Sequence, residues 1–269
     1  MKWFTAWRRR PWAGYAVVLA ALAIIGVAYA GASPGNRAQA SDTPASAQDV
    51  SKGKELFNQA CSSCHGANAE GTRTAPSLIG VGAASVDFQV GTGRMPATNP
   101  GAQIPRKKPV FNEAQARQIA AYIASLGGGP AIPAGDQVDP AHGDSALGGE
   151  LFRANCAQCH NFAGSGGALT GGKYAPPLDK ATPTQIYEAM VTGPQAMPVF
   201  NDTTITPEQK RAVIAYVTQT RAEPNPGGNG LGRVGPVSEG IIGWLVGIGL
   251  MVAAAAWLTA KKPKKKTSE

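Results

Sequence analysis

Two stretches decide how this chain folds. The first is G-K-E-L-F-N-Q-A-C-S-S-C-H, from Gly53 to His65. The second is G-G-E-L-F-R-A-N-C-A-Q-C-H, from Gly148 to His160. Glu55, Leu56, Phe57, Cys61, Cys64 and His65 return 95 positions later as Glu150, Leu151, Phe152, Cys156, Cys159 and His160. The likeness continues outward. Ala75-Pro76 with Leu78 matches Ala175-Pro176 with Leu178, and Met95-Pro96 matches Met197-Pro198. Ile119-Ala120-Ala121-Tyr122-Ile123 matches Val213-Ile214-Ala215-Tyr216-Val217. Landmarks repeated in one order indicate a duplicated domain. Asn112 with Gln115, and Thr206 with Gln209, predict helix starts closed by a polar partner three residues on. Ile119, Tyr122, Ile123 and Leu126, like Val213, Ile214 and Val217, fall on one helical face. The expectation is an all-α chain with two tandem domains.

All four cysteines lie in two C-x-x-C-H motifs, Cys61 to His65 and Cys156 to His160. This is the attachment signature of haem c. Two thiols three positions apart on a helical turn can reach the two vinyl groups of one porphyrin. The adjacent His65 or His160 then lies under the iron as a ligand. A zinc knuckle, a redox dithiol and a disulfide are the competing readings. Zinc needs four ligands close together, and each domain offers three. A thioredoxin-like dithiol expects a βαβ setting, which the pattern lacks. Two covalently bound haem c groups are therefore expected, on Cys61 and Cys64 and on Cys156 and Cys159. Each domain has about 80 residues, so a cofactor belongs to its small core.

A thioether as the sixth iron ligand raises the potential and suits electron transfer. Of five methionines, Met1 is the start, Met251 falls in an apolar run and Met190 in a helical core pattern. Met95 and Met197 remain, at matching places and each before a proline; either could instead be packing. His142 is the other histidine, in a linker, and reads as exposed.

The formal charge is +8. Residues 1–32 and 261–269 carry +4 each, so the body between them is neutral. A neutral body with basic tails excludes a nucleic-acid binder. Each tail flanks an uncharged run of 21 residues, 12–32 and 240–260. At the helical rise such a run reaches about 31 Å, which matches a bilayer core. The positive-inside rule places both basic flanks in the cytoplasm and the body outside, on a plasma membrane. Residues 1–32 read as a signal peptide, with Ala28-Tyr29-Ala30 as a cleavage site, or as a retained span. Residues 33–49 read as a disordered tether, 50–126 as domain 1, 127–145 as a linker and 146–222 as domain 2. Residues 223–239 form another linker, 240–260 a transmembrane helix and 261–269 a cytoplasmic tail. Gly243 and Gly247 could seat a partner helix or be ordinary small residues.

These residues resemble the class I cytochrome c fold. That family carries a glycine and an aromatic on its first helix (here Gly53 and Phe57, then Gly148 and Phe152). It continues with C-x-x-C-H, a proline (Pro76, Pro176), a methionine in a loop, and a last-helix aromatic (Tyr122, Tyr216). The whole arrangement is similar to the dihaem cytochrome c subunit of the actinobacterial cytochrome bc complex. The resemblance implies partnership with cytochrome b and a Rieske iron–sulfur subunit. It also implies delivery of electrons to an aa-type oxidase in a supercomplex. No catalytic residue is expected, and quinol–cytochrome c reductase activity would belong to the assembled complex. An anchored carrier for another dehydrogenase or oxidase, or a dihaem peroxidase, are the alternatives. The stretch from Met95 to Asn112, with Arg106, Lys107 and Lys108, is longer than its counterpart. It reads as a docking loop or a solvated one.

Overall fold

A computed structural model describes residues 12, 15–16, 18–24, 46–99, 101, 103–223 and 236–260. The supposed cleavage site, nearly all of the tether, most of the last linker and the basic tails lie outside them. Residues 1–39 form a unit of their own. Within it residues 15–16 and 18–24 are helical.

In the first repeat, α1 (Ala47–Ala60) starts at Ser46, whose side chain accepts from the Asp49 amide at 3.1 Å. It breaks at Cys61, and α2 (Ser62–His65) follows. Next come α3 (Gly82–Gly91) and α4 (Glu113–Ser125). The predicted Asn112–Gln115 capping box closes the start of α4, with bonds of 2.9 and 3.0 Å. A side chain on Gly53 would overlap the Gln118 carbonyl. The missing Cβ therefore lets α1 cross α4 backbone to backbone. Phe57 and Tyr122 meet across that crossing with ring centroids 5.4 Å apart. With Val86, Val90, Ile119 and Ile123 they form one buried cluster. Each large apolar side chain buried this way contributes about 2 kcal/mol.

The second repeat follows the same plan with α5 (Ser145–Asn155), α6 (Ala157–His160), α7 (Pro183–Thr192) and α8 (Pro207–Ala222). Gly148 lies against the Ala212 carbonyl, and Phe152 meets Tyr216 at 5.3 Å. Thr206 and Gln209 form the predicted capping box, and Thr182 and Gln185 form one not read from the sequence. A two-stranded hairpin, β1 (Gly167–Ala168) with β2 (Tyr174–Ala175), is particular to this repeat. It explains why the offset between repeats grows from 95 at the histidines to 100 at Pro76 and Pro176. Lys210 is fully buried yet satisfied, bonded to Asp202 at 2.7 Å and to the Ile205 carbonyl.

The linker between the repeats is packed rather than slack. Gly129 rests against Gly82, and Arg211 of α8 donates to the carbonyls of His142 and Asp136 at 3.1 and 3.2 Å. His142 is exposed, with its Nδ1 3.2 Å from Asp139. Helices α3 and α7 pack on one another, so the repeats share an interface. At the end, α9 (Pro236–Thr259) holds a 20-residue stretch, Gly240–Thr259, long and apolar enough to cross a bilayer.

Candidate functional site: two cysteine–histidine turns and a shared cavity

Each C-x-x-C-H motif folds as a turn of helix. The Cys61 amide donates to Phe57 O at 2.8 Å, which ends α1. The Cys64 and His65 amides then donate back to Cys61 O at 3.1 and 3.0 Å. The second motif repeats the pattern, with Cys159 and His160 bonded to Cys156 O at 3.1 and 2.9 Å. After each histidine the chain needs a positive φ. Gly66 supplies 85° and Asn161 supplies 62°, from residue types that tolerate it. The loop then returns so that Gly71 and Gly166 donate to the carbonyls of His65 and His160.

This return brings a proline carbonyl to each histidine. His65 Nδ1 lies 2.8 Å from Pro76 O, and His160 Nδ1 lies 3.0 Å from Pro176 O. A carbonyl can only accept, so Nδ1 must carry the proton. Nε2 is left as the lone-pair nitrogen, which is the tautomer a metal-binding imidazole needs. Burial lowers the pKa of His160, partly offset by its bond to Pro176, and favours the neutral ring. Burial, with a smaller contribution from the neighbouring thiol, pushes Cys61 and Cys156 up to about 11. Redox dithiols need depressed values, so these raised values argue against exchange chemistry.

In the second repeat a cavity of about 310 Å³ brings together Cys156, Cys159, His160 and Met197. Most of its wall is apolar, including Phe152, Ile186, Met190 and Val213. Two thiols at one motif, a neutral histidine and a thioether in an apolar cavity fit a covalently bound haem. Met190 was read as core, and it is: 2% exposed, while also forming cavity wall. In the first repeat Cys61 and Met95 both pack against the Phe57 cluster, and His65 is buried.

Sequence reasoning missed a set of groups contributed by the first repeat. Phe88, Thr92, Arg94, Gln103 and Arg106 also line the cavity of the second. The Gln103 amide donates to Tyr174 O at 2.6 Å and accepts from Tyr174 N at 2.9 Å, as a strand would. Gln195 Nε2 donates to Ile104 O at 2.9 Å. The long loop after Met95 is thus an internal clasp, bonded beside Tyr174 and beside the Met197 loop. Arg94 is buried, with its guanidinium 5.0 Å from the Phe88 ring centroid. Its pKa is lowered by burial and then by Arg106, against an opposing effect of Tyr174. Glu188, on α7 at the interface, is fully buried. Its carboxyl faces Asp87 of α3, and in its protonated form it donates a hydrogen bond to that carboxylate. Burial first, then the charge of Asp87, pushes its pKa up to about 10. Of these groups the sequence singled out Arg106 alone, as part of a docking or solvated loop; the packing of the rest against the other repeat left no local signal.

Comparison with known proteins agrees with this architecture. Residues 50–127 match the family model described as cytochrome c. Residues 143–217 match that of cytochrome c oxidase, cbb3-type, subunit III. The chain is 47% identical over 229 residues to the cytochrome bc1 complex cytochrome c subunit of Corynebacterium diphtheriae, covering 79% of this chain and 81% of that one. It is 46% identical to the same subunit of Corynebacterium efficiens, covering 79% and 77%. Its identity to that of Mycobacterium bovis is 46% over 259 residues, covering 94% and 92%. Two cytochrome c domains imply covalent haem c. With both repeats matched and the likeness running through most of the chain, this protein belongs to the cytochrome c subunits of cytochrome bc1 complexes.

Proposed function

We propose that this chain takes electrons from a Rieske iron–sulfur subunit and delivers them towards an aa-type terminal oxidase. It would do so through two covalent haem c groups, one in each repeat. Cys61 and Cys64 hold the first by thioethers, and Cys156 and Cys159 the second. His65 and Met95 are the iron ligands in the first repeat, and His160 and Met197 in the second. A haem so ligated supplies reversible one-electron storage at the iron. The observation that carries the reading is the pair of Nδ1-to-proline bonds, Pro76 to His65 and Pro176 to His160. They leave both imidazoles poised to coordinate through Nε2.

The residues of the chain do the remaining work. Apolar walls exclude water, and the thioethers of Met95 and Met197 favour the reduced state. With both sites occupied on two sides, the chain alone has no catalytic residue. Quinol oxidation belongs to the assembled complex with cytochrome b and the Rieske subunit. Helix α9 anchors the chain in the plasma membrane, with the haem domains outside and the basic tail within.

The test is purification of the full chain from intact membranes in mild detergent. The expected outcome is co-purification of b-type haem, a Rieske signal and an aa-type oxidase. Recovery of the chain without these partners would overturn the assignment to this complex. Carbon monoxide binding separates the peroxidase alternative. Wild-type protein with both methionines on iron should bind little, and Met95→Ala or Met197→Ala should each open one site.

A further inference from the structure

Two cations of the first repeat face the cavity of the second. Arg94 and Arg106 both line it, next to Gln103 and Tyr174. Arg94 is 9% exposed and stacked on Phe88. Among the described residues, the ion pairs formed involve neither arginine. Arg106 is exposed, but a guanidinium buried as Arg94 is, beside a largely apolar cavity, is costly unless an anion answers it. Guanidinium matches carboxylate in shape and binds it with two parallel hydrogen bonds. The haem assigned to this cavity carries two carboxylates of its own.

We propose that Arg94 and Arg106 bind the carboxylates of the second-repeat haem across the domain boundary, so that domain 1 completes the cofactor site of domain 2. This rests on the haem reading given above. The clasp fits the role: Gln103 and Ile104 are tied to Tyr174 and Gln195, and Arg106 stands two residues after Ile104. Positive charge at this edge stabilises the haem with the added electron. The arginines therefore raise its reduction potential, while the first haem is affected less.

The test uses the full chain in detergent and a spectroelectrochemical titration of both haems. A Met197→His variant changes only the second haem's axial set and identifies its wave. In Arg94→Gln and Arg106→Gln the second wave should fall, by roughly a tenfold loss in the equilibrium constant for reduction, about 59 mV for one electron. The haem carboxylate bands of the redox difference infrared spectrum should shift with it. Arg106→Lys should keep most of the potential, which a merely structural role would not predict. An unmoved second wave in both glutamine variants overturns the proposal. A moved wave with unmoved carboxylate bands also overturns it, because the charge would then act without binding. Absence of covalent haem on the Cys156–Cys159 peptide would instead overturn the haem reading itself. Because Arg94 adjoins Met95, the Arg106 variants keep the test decisive if Arg94→Gln disturbs the first haem.

Discussion

Replacing Glu188 by glutamine should make the protein more stable, and by an amount that grows with pH. Glu188 is completely buried between the repeats, and its partner is another acid, Asp87, to which it can donate only while protonated. Its pKa is pushed from 4.5 to about 10, chiefly by burial and next by Asp87. In the unfolded chain it ionises near the ordinary value, but in the folded chain it must hold its proton. A raised folded pKa gives stability that is complete below pH 4.5 and is lost progressively as pH rises towards 10. Each pH unit in that window is worth about 1.4 kcal/mol. At pH 7 the carboxyl therefore costs the fold about 3 kcal/mol, and a neutral amide of the same shape removes that cost. Guanidinium unfolding of the full chain, followed by circular dichroism at pH 5, 7 and 8.5, measures it. Glu188→Gln should exceed wild type by under about 1 kcal/mol at pH 5, by about 3 kcal/mol at pH 7 and by more at pH 8.5. An advantage that is absent at pH 7, or identical at every pH, would refute the protonated, buried carboxyl.

Gly148→Ala should overlap the Ala212 carbonyl and cost roughly 3 kcal/mol through overpacking at the helix crossing. Thermal melts and the yield of haem-loaded chain would show it. Gln103→Ala removes both bonds to the Tyr174 backbone. It should cost about 1–3 kcal/mol and speed proteolysis of the loop after Met95, read by limited digestion. Lys210→Ala strips the buried partner of Asp202 and should lower stability by about 3–5 kcal/mol, read by chemical denaturation.

What the sequence made legible was local. The C-x-x-C-H turns, the capping residues at Asn112 and Thr206, and the glycines under Phe57 and Phe152 each act within a helix or at one crossing. Their spacing therefore carries the information. Doubling helped, since a landmark seen twice outweighs chance. Matching the repeats is also what singles out Met95 and Met197 as candidate iron ligands. The cavity wall formed by Arg94 and Arg106 was not legible, nor was the burial of Glu188. Each depends on how one repeat lies on the other, and no periodicity within a segment encodes that. Arg106 is the instructive case. In the sequence it stands in a charged run with Lys107 and Lys108 and reads as a loop in water or facing a partner. In the fold the neighbours Gln103 and Ile104 anchor the segment to the second repeat, and Arg106, though exposed, lines that repeat's cavity.

Duplication alone would make two equivalent redox sites, between which an electron would have no preference. The residue before the loop methionine is where this pair departs from that symmetry. In the first repeat it is Arg94, whose side chain reaches into the neighbouring cavity; in the second it is Ala196, which has no charge to return. On the proposal above, Arg94 and Arg106 together give the duplicated chain a means of telling its two haems apart.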